Sequence, residues 1–303
     1  MDEVLENLQV KDNEIYVDCT FGAGGYSGAI LNVANCELYA FDRDENVTKF
    51  SDKLSEKFPN NFHFINEKFS NLKNSLENYN INKVDGVVLD LGVSSMQLDE
   101  EERGFSFNSP ARLDMRMDRT KGISAFEVVN YESEKELSRI IKEFGEENKN
   151  RLIAKKIVEK RQEKEIVTAV ELAQIVRGVY GKYNPKKIDP ATKTFQAIRI
   201  FVNDELGELK LVLNDVLDVL KSGGRLLVVS FHSLEDSYVK RFFRDNSGYN
   251  DRSVSRYDPS NLLNQNKKYS LFVPINKAIQ PSEVEVKNNI RSRSARLRVA
   301  IRN

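Results

Sequence analysis

The sequence predicts a doubly wound α/β fold with a helical insert, on three observations. Short β-rich runs alternate with helical patterns through the first hundred residues. A glycine cluster follows the first of these runs directly. Strand patterning then stops between about 120 and 183 and resumes afterwards.

In order, EIYVDCT (14–20) reads as a buried strand, and GAGGYSGAILNVA (22–34) as a glycine turn entering a helix. ELYAFD (37–42) is a second strand, followed by the helical VTKFSDKLSEKF (47–58). FHFIN (62–66) and VDGVVLDL (84–91) are the third and fourth. Strands alternating with helices imply right-handed βαβ units and a parallel sheet. In the insert, Ile140, Ile141 and Phe144 form one apolar stripe, and Leu152, Ile153, Ile157 and Val158 form another. Thr168 with Glu171 predicts a capping box opening a further helix. The helical GELKLVLNDVLDVL (207–220) precedes a fifth strand, GGRLLVVSF (223–231), and SLEDSYVKRFFR (233–244) is helical. Residues 246–268 are polar and expected to form a mobile loop. YSLFVPI (269–275) and ARLRVAI (295–301) are expected to pair antiparallel at the sheet edge. The expected division is a core first part at 1–119, a helical insert at 120–185, and a core second part with the terminal strand pair at 186–303.

The 303 residues carry 46 Lys+Arg against 46 Asp+Glu, with 40% hydrophobic residues, which excludes a disordered or fibrous chain. No apolar run approaches the roughly 20 residues that span a bilayer. MDEVLENLQV is acidic and amphipathic, unlike a signal peptide. With two cysteines, Cys19 and Cys36, and histidines as isolated as His63 and His232, neither a disulfide framework nor a metal cluster is expected, and the expected location is cytoplasmic. Cys19 reads as a small core residue. Residues 1–100 hold 8 basic and 18 acidic residues, so the neutral total hides a basic remainder. That asymmetry suggests a polyanion surface, with solvated helix faces as the alternative.

Ligands in doubly wound sheets bind at the carboxyl ends of strands. D-x-T-x-G-x-G-G, Asp18 to Gly25, Asp42 after the second strand, Phe69 after the third, and Asp90 with Gln97 after the fourth all fall there. A glycine turn lets backbone approach a ligand, Asp42 can accept both ribose hydroxyls, and Phe69 can lie against a base. Ser27 stands where G-x-G-x-x-G needs its last glycine, which disfavours a dinucleotide. Acids at Asp18 and Asp90 suit S-adenosyl-L-methionine, whose ammonium needs carboxylate or carbonyl partners. Ordinary strand-to-helix turns are the bland alternative.

DCTFGAGGYS, FDRD, DGVVLDLGVSSMQLDEEERGFSF, LDMRMD, IDPATKTFQAIRIFVNDEL, SGGRLLVVSFHSLED and RSRSARLRVAI, in this order, resemble the bacterial 16S rRNA (cytosine-N4)-methyltransferases. The resemblance runs from about residue 4 to the C-terminus. It implies a class I S-adenosylmethionine-dependent methyltransferase core, Rossmann-like, interrupted by a helical domain. It implies cofactor contacts at Gly24, Gly25, Tyr26, Asp42, Phe69, Asp90 and Gln97. The family usually has His at Tyr26, Pro at Met96 and Gly-Pro at Ala111-Arg112, and an HxPVL-type segment before Glu3. Tyr26 is therefore expected to contribute mainly its backbone.

The expected partner is 16S rRNA, in the setting of the small ribosomal subunit, with no membrane and no metal; a homodimer is compatible with the chain. Attack by an exocyclic amine needs orientation and acceptors for its N–H bonds, not a strong base. No catalytic residue is assigned, although the loop Asp90–Gln97 is expected to position both cofactor and amine. Asp114 and His232 are candidate base contacts; the alternatives are an Arg partner for Asp114 and a helix cap at Ser233. Phe105 or Phe107 is a candidate for stacking on a flipped cytosine. Phosphate contacts are expected at Arg291, Arg293, Arg296, Arg298, Lys186, Lys187 and Lys193, the arginines projecting from one strand face. For Arg151, Lys155, Lys156, Lys160, Arg161 and Lys164 a solvated face is at least as good a reading. The competing functions are a DNA amino-methyltransferase, an NAD-dependent oxidoreductase, and a non-catalytic RNA-binding protein.

Overall fold

A computed structural model describes residues 1–182, 188–247 and 272–303. The chain groups into two compact units, Met1–Gly92 with Glu208–Asn303, and Val93–Gly207. In chain order come α1 (Asp2–Leu8), β1 (Ile15–Asp18), α2 (Gly25–Val33), β2 (Glu37–Phe41), α3 (Thr48–Lys57), β3 (Phe62–Ile65), α4 (Leu72–Asn78) and β4 (Val84–Asp90). Then follow α5 (Ser95–Asp99), α6 (Ala125–Tyr131), α7 (Glu134–Gly145), α8 (Asn150–Glu163), α9 (Ala169–Tyr180) and α10 (Thr192–Asn203). The chain returns through α11 (Glu205–Val219), β5 (Leu220–Ser230), α12 (Ser233–Asn246), β6 (Phe272–Ile279), α13 (Glu283–Asn288) and β7 (Arg296–Arg302).

The first unit is a seven-stranded sheet in the order β3-β2-β1-β4-β5-β7-β6. Strands β1 to β5 are parallel; β7 runs antiparallel to β5, and β6 antiparallel to β7. The predicted terminal pair is thus present, although 269–271 of its first half and residues 248–268 of the expected loop lie outside the described residues. β4 reads as a nearly continuous apolar run because both faces are covered: Val84, Val87, Val88 and Leu89 are fully buried. Gly86 is required there, since a Cβ would come within 2.7 Å of Leu8 and Tyr16. Apolar residues of α11 at three- and four-residue spacing, Leu209, Val212, Leu213 and Val216, seal one face of the core. Phe242 and Phe243 of α12 close on Phe272 of β6, with centroids 5.9 and 6.1 Å away. Strand order reverses between β1 and β4, so their carboxyl ends, with those of β2 and β3, flank the crevice where such sheets take ligands. No helix among the described residues is long and apolar enough to cross a membrane.

The second unit is wider than the insert expected at 120–185, and 93–119 and 188–207 fall outside the core segments first assigned to them. The reason is packing. Buried Phe195, Ala197 and Ile198 of α10 join Leu137, Ile140 and Ile141 of α7 in one cluster. Gly145 lets these helices approach, because a Cβ there would lie 2.5 Å from the Lys193 carbonyl oxygen. The LDMRMD segment is bound into the same unit: Asn203 accepts from the Met117 N–H at 2.8 Å and donates to the Met115 carbonyl at 2.7 Å. Buried Arg103 donates to the carbonyls of Arg116 and Met117. In α8 the inward stripe is Ile153, Ala154 and Ile157; Leu152, expected in it, is 58% exposed. Thr168 caps α9 with Glu171 as expected.

Gly104 has φ +69°, and a Cβ there would meet the Arg112 carbonyl oxygen at 2.5 Å. Gly104→Ala is therefore expected to destabilise the protein by about 2–4 kcal/mol. Gly178→Ala, in a helix with nothing within 4 Å, is the control and should stabilise slightly. Urea unfolding of both variants measures the difference; equal midpoints would contradict the assigned backbone clash.

Candidate functional site

At the end of β1 the chain must leave the sheet and start α2 within six residues. Gly24 permits this, since it adopts φ +79° as the N-cap of α2, with its N–H donating to the Phe21 carbonyl at 2.8 Å. A Cβ on Gly24 would press on the Phe21 ring at 3.0 Å. Gly25 and Tyr26 form the first turn of α2, whose unpaired N–H groups suit an electron-rich ligand group.

Two carboxylates hold this turn. Asp42, just past β2, accepts from the N–H of Gly22 at 2.8 Å and from that of Asp44 at 2.9 Å. Burial pushes its carboxyl up to about 6, against those N–H bonds, which lower it. Asp18, with 0% exposure, accepts from the Thr20 N–H at 3.0 Å and the Ser27 hydroxyl at 2.7 Å. Burial also raises the Asp18 carboxyl. This corrects the expectation that Asp18 presents a carboxylate to a ligand: it is sealed inside the turn. Ser27, which broke the dinucleotide pattern, belongs to that seal.

Asp90 differs from both. Its Oδ1 is buried and has no hydrogen-bond partner. Burial first, then the charges of Asp18 and Glu235, push its carboxyl up to about 7. Its N–H donates to the Thr20 hydroxyl at 2.7 Å. Burial, and next the charge of Asp90, raise the Tyr26 phenol. Phe69 starts a 3-10 turn at 69–71, half-buried and packed on the core. Six of the seven residues singled out from the sequence thus stand at or just past the carboxyl ends of β1 to β4. Gln97 lies in the second unit as the N3 residue of α5; its Oε1 accepts from the Ser94 N–H at 3.1 Å in a capping box.

A buried carboxylate oxygen without a donor costs free energy until a cation or N–H arrives. With Asp42 just past β2, and β1 with its glycine turn lying between β2 and β4, the set could hold S-adenosylmethionine: an ammonium at Asp90, ribose hydroxyls at Asp42, and a base near Phe69. The sequence reading missed Thr20 as a side chain in its own right, although it sits inside the quoted motif.

The other candidates are largely occupied. Asp114 pairs with Arg116 at 2.6 Å and Arg119 at 3.2 Å, so its Arg-partner reading holds. Burial raises its carboxyl, but those guanidiniums hold it below the usual carboxylate range. His232, not Ser233, caps α12, and its Nε2 lies 3.1 Å from Glu235, so it is not isolated. Phe105 is buried in the second unit, whereas Phe107 is half-buried, edge-on to Phe195 at 6.0 Å, with the Arg177 guanidinium over its ring. Asp236 takes up Arg298 at 2.7 Å and Arg296 at 3.0 Å. Arg291 and Arg293 lie on a 3-10 turn, Ile290–Ser294, which corrects the expectation of four arginines on one strand face. Lys193 donates to the Glu146 carbonyl. Lys186 and Lys187 lie outside the described residues. Along α8, Lys155, Lys156, Lys160 and Lys164 each reach a glutamate, and Arg161 binds the carbonyls of Val129 and Glu132.

The model of the MraW methylase family matches residues 1–303. The chain is 50% identical over 302 residues to Ribosomal RNA small subunit methyltransferase H of Rickettsia massiliae (strain Mtu5), covering 99% of this chain and 95% of that protein. It is 48% identical over 303 residues to the protein of the same name from Orientia tsutsugamushi (strain Ikeda), covering 99% and 96%. Among solved structures, SMU.1697c, a putative methyltransferase from Streptococcus mutans in complex with SAH, aligns over 100% of this chain and 97% of that chain. Its identity is 13% and its TM-score 0.44, too loose a likeness to carry weight.

Proposed function

The chain belongs to the MraW methylase family, and we propose that it transfers a methyl group from S-adenosylmethionine to the exocyclic N4 of a cytidine in 16S rRNA. The observation that carries the reading is Asp90: a buried carboxylate oxygen without a donor, at the switch point of a doubly wound sheet, beside a glycine turn. When bound, S-adenosylmethionine supplies a methyl group activated by its sulfonium.

The protein's own part is orientation. The N4 lone pair of cytosine is delocalised into the ring, so the amine must be turned toward the methyl group while its N–H bonds find acceptors. The backbone that follows Asp90 at the end of β4 is proposed to supply those acceptors. The product amine, once alkylated, is acidic and loses its proton without a strong base, so the Arg-paired state of Asp114 poses no difficulty. The small ribosomal subunit as the setting, and any dimer, belong to this proposal as well.

Incubation with tritiated S-adenosylmethionine and, in parallel, small subunits, naked 16S rRNA and DNA tests the reading. Label is expected on cytidine N4 of the rRNA; label on DNA alone, or none, refutes it. The charge on the 290–294 turn is proposed to meet phosphates. Reversing Arg291 and Arg293 to Glu should reduce the salt slope of RNA binding by about one to two. An unchanged slope removes them from the interface.

A further inference from the structure

Resting on the methyltransferase reading above, we propose that Thr20 is a positioning residue whose hydroxyl fixes Asp90 against the glycine turn. The ladder between β1 and β4 ends at the pair Asp18 and Val88. Continued by two residues, it would place Thr20 opposite Asp90, but the chain has by then turned away toward Gly24. On the other side the ladder persists, with the Leu91 N–H donating to the Val229 carbonyl at 3.0 Å. The Asp90 N–H therefore faces the side that β1 has abandoned, and finds the Thr20 hydroxyl at 2.7 Å in place of a strand carbonyl. A side chain completes the ladder where the backbone cannot.

The backbone of Thr20 is held in turn: its N–H donates to the Asp18 carboxylate at 3.0 Å, and the same carboxylate accepts from the Ser27 hydroxyl at 2.7 Å. The Thr20 N–H donates to Asp18, and its hydroxyl offers a lone pair to the Asp90 N–H. Thr20 thus joins the glycine turn, through its N–H on Asp18, to the strand carrying the unpartnered Asp90 Oδ1, through its hydroxyl. A ligand that bonds the turn and Asp90 together needs their spacing held to within about 0.5 Å. Asp18 supplies the anchor and Thr20 transmits it.

Calorimetric titration with S-adenosylhomocysteine, which carries the same amino-acid end and ribose, tests this without turnover. Thr20→Val keeps the shape and removes the hydroxyl, and is expected to weaken binding about tenfold or more. Thr20→Ser keeps the hydroxyl and should stay within about threefold of wild type. The pH at which affinity falls on the acid side, governed by Asp90, should move in T20V and stay in T20S. A merely structural role would lower the melting temperature of T20V without moving that pH. Wild-type affinity and acid limb in T20V, or a T20S as defective as T20V, overturns the assignment. Should T20V not fold, Thr20→Cys, a poor acceptor of similar size, is expected to lose several-fold in affinity, and full affinity would overturn it. Failure of the wild type itself to bind S-adenosylhomocysteine would refute the methyltransferase reading instead.

Discussion

Asp90→Ala is expected to abolish cofactor binding and methyl transfer together, with turnover falling by at least about 10²–10³-fold. The expectation rests on what the Asp90 carboxylate lacks. Asp42 already holds two N–H groups, and Asp18 holds the Thr20 N–H and the Ser27 hydroxyl, so both have partners within the fold. The Asp90 Oδ1 is buried with nothing to accept from, a penalty that the ammonium of the proposed cofactor would relieve. Equilibrium dialysis with labelled S-adenosylmethionine and a methylation assay on the same preparation separate two roles. Loss of both places Asp90 on the cofactor. Intact affinity with lost turnover would move it to the target amine.

The second large effect is a pH-dependent trade between stability and function at the same residue. The Asp90 carboxyl stands at about 7 in the folded protein, against an ordinary value of 3.8. A carboxyl raised by folding holds its proton more tightly in the fold. Its favourable contribution is therefore complete below the unfolded value and is lost as pH rises through about 7. Asp42, at about 6, acts in the same direction. Ionised Asp90 thus weakens the ligand-free protein at pH 8 by on the order of 4 kcal/mol. Asp90→Asn cannot ionise, so it should melt several degrees above wild type at pH 8 and close to it at pH 4. Saturating S-adenosylmethionine should reverse that order at pH 8, because only the wild type gains ligand stabilisation. Identical melting temperatures of the two ligand-free proteins at pH 8 would refute the strained carboxylate. Cofactor affinity should likewise fall below about pH 7, as Asp90 takes up its proton.

Much of the architecture was legible because it is written in local periodicity. Runs such as VDGVVLDL are nearly continuously apolar because both faces of a parallel sheet are covered, and that burial leaves a readable signature. The glycine turn was legible for a similar reason, since Gly24 takes a left-handed conformation that few other residues tolerate. Capping at Thr168 also depends on residues three apart and nothing more.

What local pattern could not carry was the partner of each charge. For Asp114 the sequence left a base contact and an Arg partner open, and it gave Asp236 no partner; each is claimed by two arginines, the latter across sixty residues of chain. The arginines at 296 and 298 alternate as a phosphate-reading strand would, but they answer to Asp236. The extent of the second unit was hidden likewise, because Asn203 binds Met115 and Met117 from more than eighty residues away. Position in sequence determined which residues stand at the strand ends: Asp18, Asp42 and Asp90 all follow from the register of strands and glycines. Only the tertiary structure decided what those three identical side chains do. One is sealed by Thr20 and Ser27, one braces Gly22, and one is left open, because hydrogen-bond donors reach a carboxylate through space, whatever their distance along the chain.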